Sequence, residues 1–138
     1  MIKVLMGEKG SGKTKAFIEM VNKASDVENG NVVCITKDNR HLFDLKSKVR
    51  MSDTSDFSVK SYEALVGFIS GIVSRDYDIT HIFIDSITKL TGMPVAESDG
   101  FFDDIKAIAD KFNIKFTITV SADVKEATDK IKGYLVEL

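Results

Sequence analysis

Eight consecutive residues, Gly7-Glu8-Lys9-Gly10-Ser11-Gly12-Lys13-Thr14, have the types and spacing to hold a phosphate group, matching G-x-x-x-x-G-K-[ST] at every fixed position. Glycines at 7, 10 and 12 let the backbone curl, so that successive N–H groups point into one concavity that no side chain obstructs. Lys13 can reach the β- and γ-phosphates of a nucleotide, and the Thr14 hydroxyl can ligate Mg²⁺. A helix starting there would turn its positive dipole end toward the anion. Chance alone would place this pattern in on the order of one chain per few hundred of this length. Its setting, between an apolar strand and an amphipathic helix, therefore decides its weight.

A second acidic position follows the run His81-Ile82-Phe83-Ile84-Asp85. In a parallel sheet the carboxyl ends of strands face the binding crevice, so Asp85 is expected beside the glycine-rich loop, holding Mg²⁺ directly or through water. An acid after a buried strand is common, and this one gains meaning only from the loop. The candidate metal ligands are Thr14 and Asp85, and the candidate catalytic groups are Lys13 and Asp85. The candidate phosphate-contacting set is Gly7, Glu8, Lys9, Gly10, Ser11, Gly12, Lys13, Thr14 and Lys15.

Positioning these residues requires strands and helices in alternation. Residues 2–6 are a short apolar run ended by Gly7, which suits a strand buried on both faces. Ala16, Phe17, Met20, Val21 and Ala24 recur at helical spacing. Residues 32–35 read as a second buried strand. Residues 38–58 read as an irregular excursion, with a helical turn around Leu42, Phe43 and Leu45 and an edge strand near Val49. Leu65, Val66, Ile69, Ile72 and Val73 form a helical stripe that ends at residues 75–78, and residues 82–85 follow as a strand. Residues 86–100, which hold the single proline, Pro94, read as a loop. Phe102, Ile105, Ile108, Ala109 and Phe112 predict a helix, and residues 114–120 alternate as a half-buried strand does. Asp123 and Glu126 are spaced as a capping box for a short helix, and residues 134–136 as a final strand. No repeat or linker interrupts this order, which predicts one domain over residues 1–138 with a parallel sheet covered on both faces.

Composition agrees. A chain of 138 residues with 43% hydrophobic residues can bury a substantial core unaided. A formal charge of −2 offers no overall attraction to nucleic acid or to an anionic membrane. A single cysteine, Cys34, excludes an intramolecular disulfide, and no Cys/His spacing suggests zinc. The first apolar run is too short for a signal-peptide core or a span, so a cytoplasmic location is expected.

The glycine-rich loop (Walker A) and the acid-ending strand (Walker B) together resemble the P-loop NTPase superfamily, and the order of elements extends that resemblance along nearly the whole chain. The loop is most similar to that of small bacterial ATP-binding proteins beginning with a GEKGSGKT-type sequence. The resemblance implies a P-loop three-layer α/β sandwich with a mainly parallel five-stranded sheet, in which residues 2–6, 82–85 and 114–120 lie near the centre. It also implies ATP and Mg²⁺ as ligands, with a protein partner or a second copy of the chain as further partners.

Ser86 departs from the pattern, because many additional-strand ATPases carry there a glutamate that polarises the attacking water. The resemblance therefore implies slow or partner-stimulated hydrolysis. Asp38, Glu97 and Asp123 are the substitute acids, each also readable as a turn or cap residue. Thr119 and Ser121 stand where related folds place a polar γ-phosphate sensor. A GTPase reading fails: residues 85–88 lack the glycine of D-x-x-G, and Asn22-Lys23-Ala24-Ser25 is not N-K-x-D. Type II thymidine kinases share the general plan, and in a nucleoside-type kinase residues 38–58 and 86–100 would form the acceptor pocket. Against that stand the absent zinc cysteines and only three arginines, Arg40, Arg50 and Arg75. A nucleotide-dependent switch or scaffold without turnover is the remaining alternative. His41 and His81 are read as structural positions.

Overall fold

Strand β1 (Ile2–Met6) leads through the glycine-rich loop into helix α1 (Lys13–Val27) in the computed structural model, which describes residues 1–38 and 44–138. Then come β2 (Asn31–Thr36), β3 (Arg50–Asp53), α2 (Tyr62–Arg75), β4 (Ile79–Ile84), the single-turn α3 (Ile87–Thr91), α4 (Asp99–Phe112), β5 (Lys115–Val120) and the short α5 (Asp129–Lys132). The fold class is α/β. The five strands form one sheet in the order β1-β5-β4-β2-β3, and every pairing is parallel. Parallel neighbours cannot be joined by tight turns, so the connections cross over the faces and bury the strands between them.

Alternation along the strands divides the core in two. Val32, Cys34 and Phe83 pack under α1 with Phe17, Val21 and Ala24. Val33, Ile35, Ile82, Ile84, Phe116 and Ile118 face α2 and α4, which contribute Leu65, Ile69, Phe102 and Ile105. Phe17 meets Phe83 edge to face at 5.8 Å. Burying each ring contributes about 1.5–3 kcal/mol, and the pair fixes α1, whose amino end carries the loop, against the sheet.

Several expectations change. The polar–apolar alternation of residues 114–120 suggested a strand with one wet face, yet β5 is flanked by β1 and β4, and Thr117 and Thr119 are fully buried toward α1. Their hydroxyls are hydrogen-bonded within the protein, which removes the penalty that otherwise drives such residues to solvent. Residues 86–100 are not an open loop, since they contain α3 and a 3-10 turn, Val95–Glu97. Strand β1 ends the five-stranded order instead of lying at its centre. Residues 134–136 add only one parallel bridge to it, Leu135 to Val4.

The edge strand expected near Val49 is β3, and the punctuation expected at residues 75–78 closes α2. Leu42 and Phe43 of the expected helical turn lie outside the described residues, as do Arg40 and His41; Leu45 packs with Val49 under α1. Asp123 caps the 3-10 turn Val124–Glu126, and Thr128 caps α5. Among the described residues no helix is long and apolar enough to cross a membrane.

Candidate functional site

The loop between β1 and α1 depends on its glycines in two ways. Gly10 and Gly12 have φ of +88° and +86°, left-handed values that carry a steric cost for any residue with a Cβ. Gly7 has no such constraint, but a Cβ there would stand 2.5 Å from Ser11 Oγ and 3.0 Å from Ser11 Cβ, so the Ser11 side chain would have to turn away to admit it.

At the end of this turn α1 begins without a capping side chain and without an acidic residue in its first turn. By contrast, α2 is capped by the Ser61 hydroxyl, and it carries Glu63 in its first turn. The orphan amides and positive dipole end of α1 are thus left open to an external acceptor.

Lys13 is 8% exposed although it is charged, and its Nζ donates to Ser121 Oγ at 3.2 Å, just beyond the end of β5. Asp85 follows β4, and its amide donates to Ile35 O at 2.9 Å, continuing the ladder to β2. The Thr119 hydroxyl donates to Asp85 Oδ1 at 3.0 Å and accepts from the Ser86 amide at 2.7 Å. The Ser86 hydroxyl donates to Ser121 Oγ at 2.8 Å. A continuous chain therefore runs Asp85–Thr119–Ser86–Ser121–Lys13, tying the acid of one strand to the lysine at the head of α1.

Ser86 sits at φ 57°, in the left-handed region, where the two hydrogen bonds hold it. Sequence reasoning noted Ser86 only as a missing glutamate. Its backbone conformation had no signal beyond the expected chain break after Asp85.

A cleft of about 1030 Å³ opens over the loop. Glu8, Lys9, Gly10, Gly12, Lys13, Thr14 and Lys15 form one wall, with Ser121 and Glu126 nearby. Thr88, Lys89 and residues 94–96 form the other, within the segment 86–100 that the kinase alternative assigned to an acceptor pocket, although Thr88, Lys89, Val95 and Ala96 were not named singly from sequence. Gly7 is buried and Ser11 is exposed, yet neither lines the cleft, and their part is to shape the turn. Asp85 is half-buried and does not line the cleft either; it reaches it through the hydrogen-bonded chain.

Thr14 and Asp85 supply a hydroxyl and a carboxylate, hard oxygen donors suited to Mg²⁺, which takes few protein ligands and completes its shell with water and phosphate. Among the described residues no group of three or more His, Cys, Asp or Glu is placed to hold a metal by itself.

The substitute acids do not converge here. Asp123 Oδ1 accepts from the Lys125 amide as a cap, and neither Asp38 nor Glu97 lines the cleft. Arg50 begins β3, at the opposite end of the strands from the loop, and pairs with Asp76 at 2.9 Å. Arg75 lines a separate surface cavity with it. The thiol of Cys34 is pushed up to about 12 by burial and by the charge of Asp85, which leaves it unreactive as a nucleophile. His81 is no bare strand-start residue: its Nε2 lies 2.8 Å from Thr117 Oγ1 and its ring stacks on Phe83. Comparison with protein-family models and with curated proteins gives no match to the chain.

Proposed function

We propose that the chain is an ATP-binding protein of P-loop type, a slow or partner-stimulated Mg²⁺-dependent ATPase. The observation that carries this reading is the uncapped amino end of α1, behind two left-handed glycines, with the buried ammonium of Lys13 beside it. That combination concentrates backbone N–H groups and one fixed charge on a single cleft, and it suits a polyphosphate better than any neutral ligand.

The strand arrangement supports the same reading. β5 separates the loop-bearing β1 from the acid-bearing β4, in keeping with the additional-strand branch of that superfamily. In this reading the amides of residues 8–15 bind the phosphates, Lys13 stabilises charge on the β- and γ-phosphates, and Ser121 marks the γ-phosphate position. Thr14 and Asp85 would hold Mg²⁺, which when bound neutralises phosphate charge. Ser86 carries no carboxylate to take a proton from water, so unaided turnover is slow.

Lys13→Ala tests the reading. Calorimetric titration with Mg-ATP is expected to show binding lost in the variant with an unchanged far-ultraviolet circular dichroism spectrum. Unchanged affinity would refute it.

A further inference from the structure

A second cavity, of about 220 Å³, is lined by residues just past the carboxyl ends of β2 and β3 and by the last residues of α3. It shares one residue with the large cleft, Lys89. Lys37, just past β2, and Lys60, just before α2, complete a set of three lysines around it, with Thr54, Phe57 and Thr91 also in its wall. None of the three lysines has a carboxylate partner among the described residues, although seven ion pairs form elsewhere among those residues.

Thr54 adds an independent sign. It is 3% exposed and lines the cavity, yet its hydroxyl makes no hydrogen bond among the described residues. The hydroxyl opens onto the cavity, since among the described residues the fully buried side-chain oxygen without a partner is Thr80 Oγ1, whereas neighbouring Thr91 donates to Ile87 O at 2.7 Å. An unpartnered hydroxyl and three uncompensated ammonium groups around one hollow describe a site rich in donors, with no carboxylate in its wall.

We propose that this cavity binds the phosphate group of a small phosphorylated molecule, seated beside the position of the nucleotide's γ-phosphate. The lysines are compact point charges with rotatable donors, suited to a tetrahedral dianion approached from several sides. The volume lies below the roughly 300–1,000 Å³ of pockets that enclose a whole drug-sized ligand, so the cavity holds a charged group and the rest of the molecule extends toward the cleft through Lys89. The anion site stands on its own geometry. It rests on the nucleotide reading only in making this ligand the neighbour of a γ-phosphate, and thereby an acceptor or effector of that chemistry.

The test uses the full chain labelled with ¹⁵N, titrated with inorganic phosphate at ionic strength held constant with sodium chloride, in the presence of Mg-ADP to fill the loop. Saturable amide shifts are expected at Thr54, Ser55, Thr91 and Gly92. Lys37→Ala and Lys60→Ala, both at exposed positions, are each expected to weaken phosphate binding about fivefold, with the Mg-ADP shifts at Gly10 and Gly12 unchanged. Shifts that fail to saturate, that are confined to residues 7–15, or that are equally strong in both variants overturn the proposal. Saturation at Thr54 with loop amides that ignore Mg-ADP upholds the anion site and removes the nucleotide reading.

Discussion

Thr119 holds Asp85 in place: its hydroxyl donates to Asp85 Oδ1 at 3.0 Å while accepting from the amide of Ser86 at 2.7 Å. One buried side chain thus fixes both the direction of the acid and the turn of the backbone that follows it. A valine there would keep the shape and lose both bonds.

Thr119→Val is accordingly expected to destabilise the fold by about 1–3 kcal/mol, because it leaves the buried Ser86 amide without an acceptor. Thr119→Ser keeps the hydroxyl and is expected to retain most of the stability. Urea unfolding of the two variants checks this, and equal midpoints would remove Thr119 from the role given to it. If Asp85 serves Mg²⁺, the valine variant also needs more Mg²⁺ for half-maximal nucleotide binding.

The approach of Gly7 to Ser11 makes a second prediction. A Cβ at position 7 meets Ser11 Oγ at 2.5 Å and Ser11 Cβ at 3.0 Å; the hydroxyl can rotate away and the Cβ cannot, so Gly7→Ala is expected to cost about 1 kcal/mol of overpacking. Adding Ser11→Gly removes both clashing atoms and is expected to restore part of the loss, with a coupling above about 0.5 kcal/mol in a double-mutant cycle. Additive effects would place the strain elsewhere.

How much of this was legible in sequence depended on whether the signal was local. The loop, α1 and the strand ending at Asp85 follow from glycine spacing and apolar periodicity, which are properties of neighbouring residues. The burial of Thr117 and Thr119 did not, because alternation reports a wet face only when no helix covers it, and α1 covers this one. The helical form of the second wall of the cleft was hidden for a similar reason. Thr88 and Lys89 look like loop residues until Ser86, in a left-handed conformation, starts α3 directly after Asp85.

Protonation of His81 makes a third prediction. Burial lowers its pKa from 6.5 to about 4, opposed by Glu28 and reinforced by Lys115, Lys3 and the amino terminus. The folded protein holds the neutral ring, so its contribution to stability is complete above the unfolded pKa and is lost as the pH falls from 6.5 toward 4. Between about pH 7 and about pH 4.5 the loss is roughly 2–3 kcal/mol. His81→Gln is expected to flatten that part of the curve of unfolding free energy against pH, and a variant that follows the wild-type slope contradicts the assignment.

The anion cradle proposed for residues 7–15 is put to the test by titrating the wild-type chain with Mg-ATP and with Mg-ADP while recording heat and melting temperature. Saturable heat and a melting temperature that rises with nucleotide concentration are expected. No heat and an unmoved melting temperature with either nucleotide would contradict it.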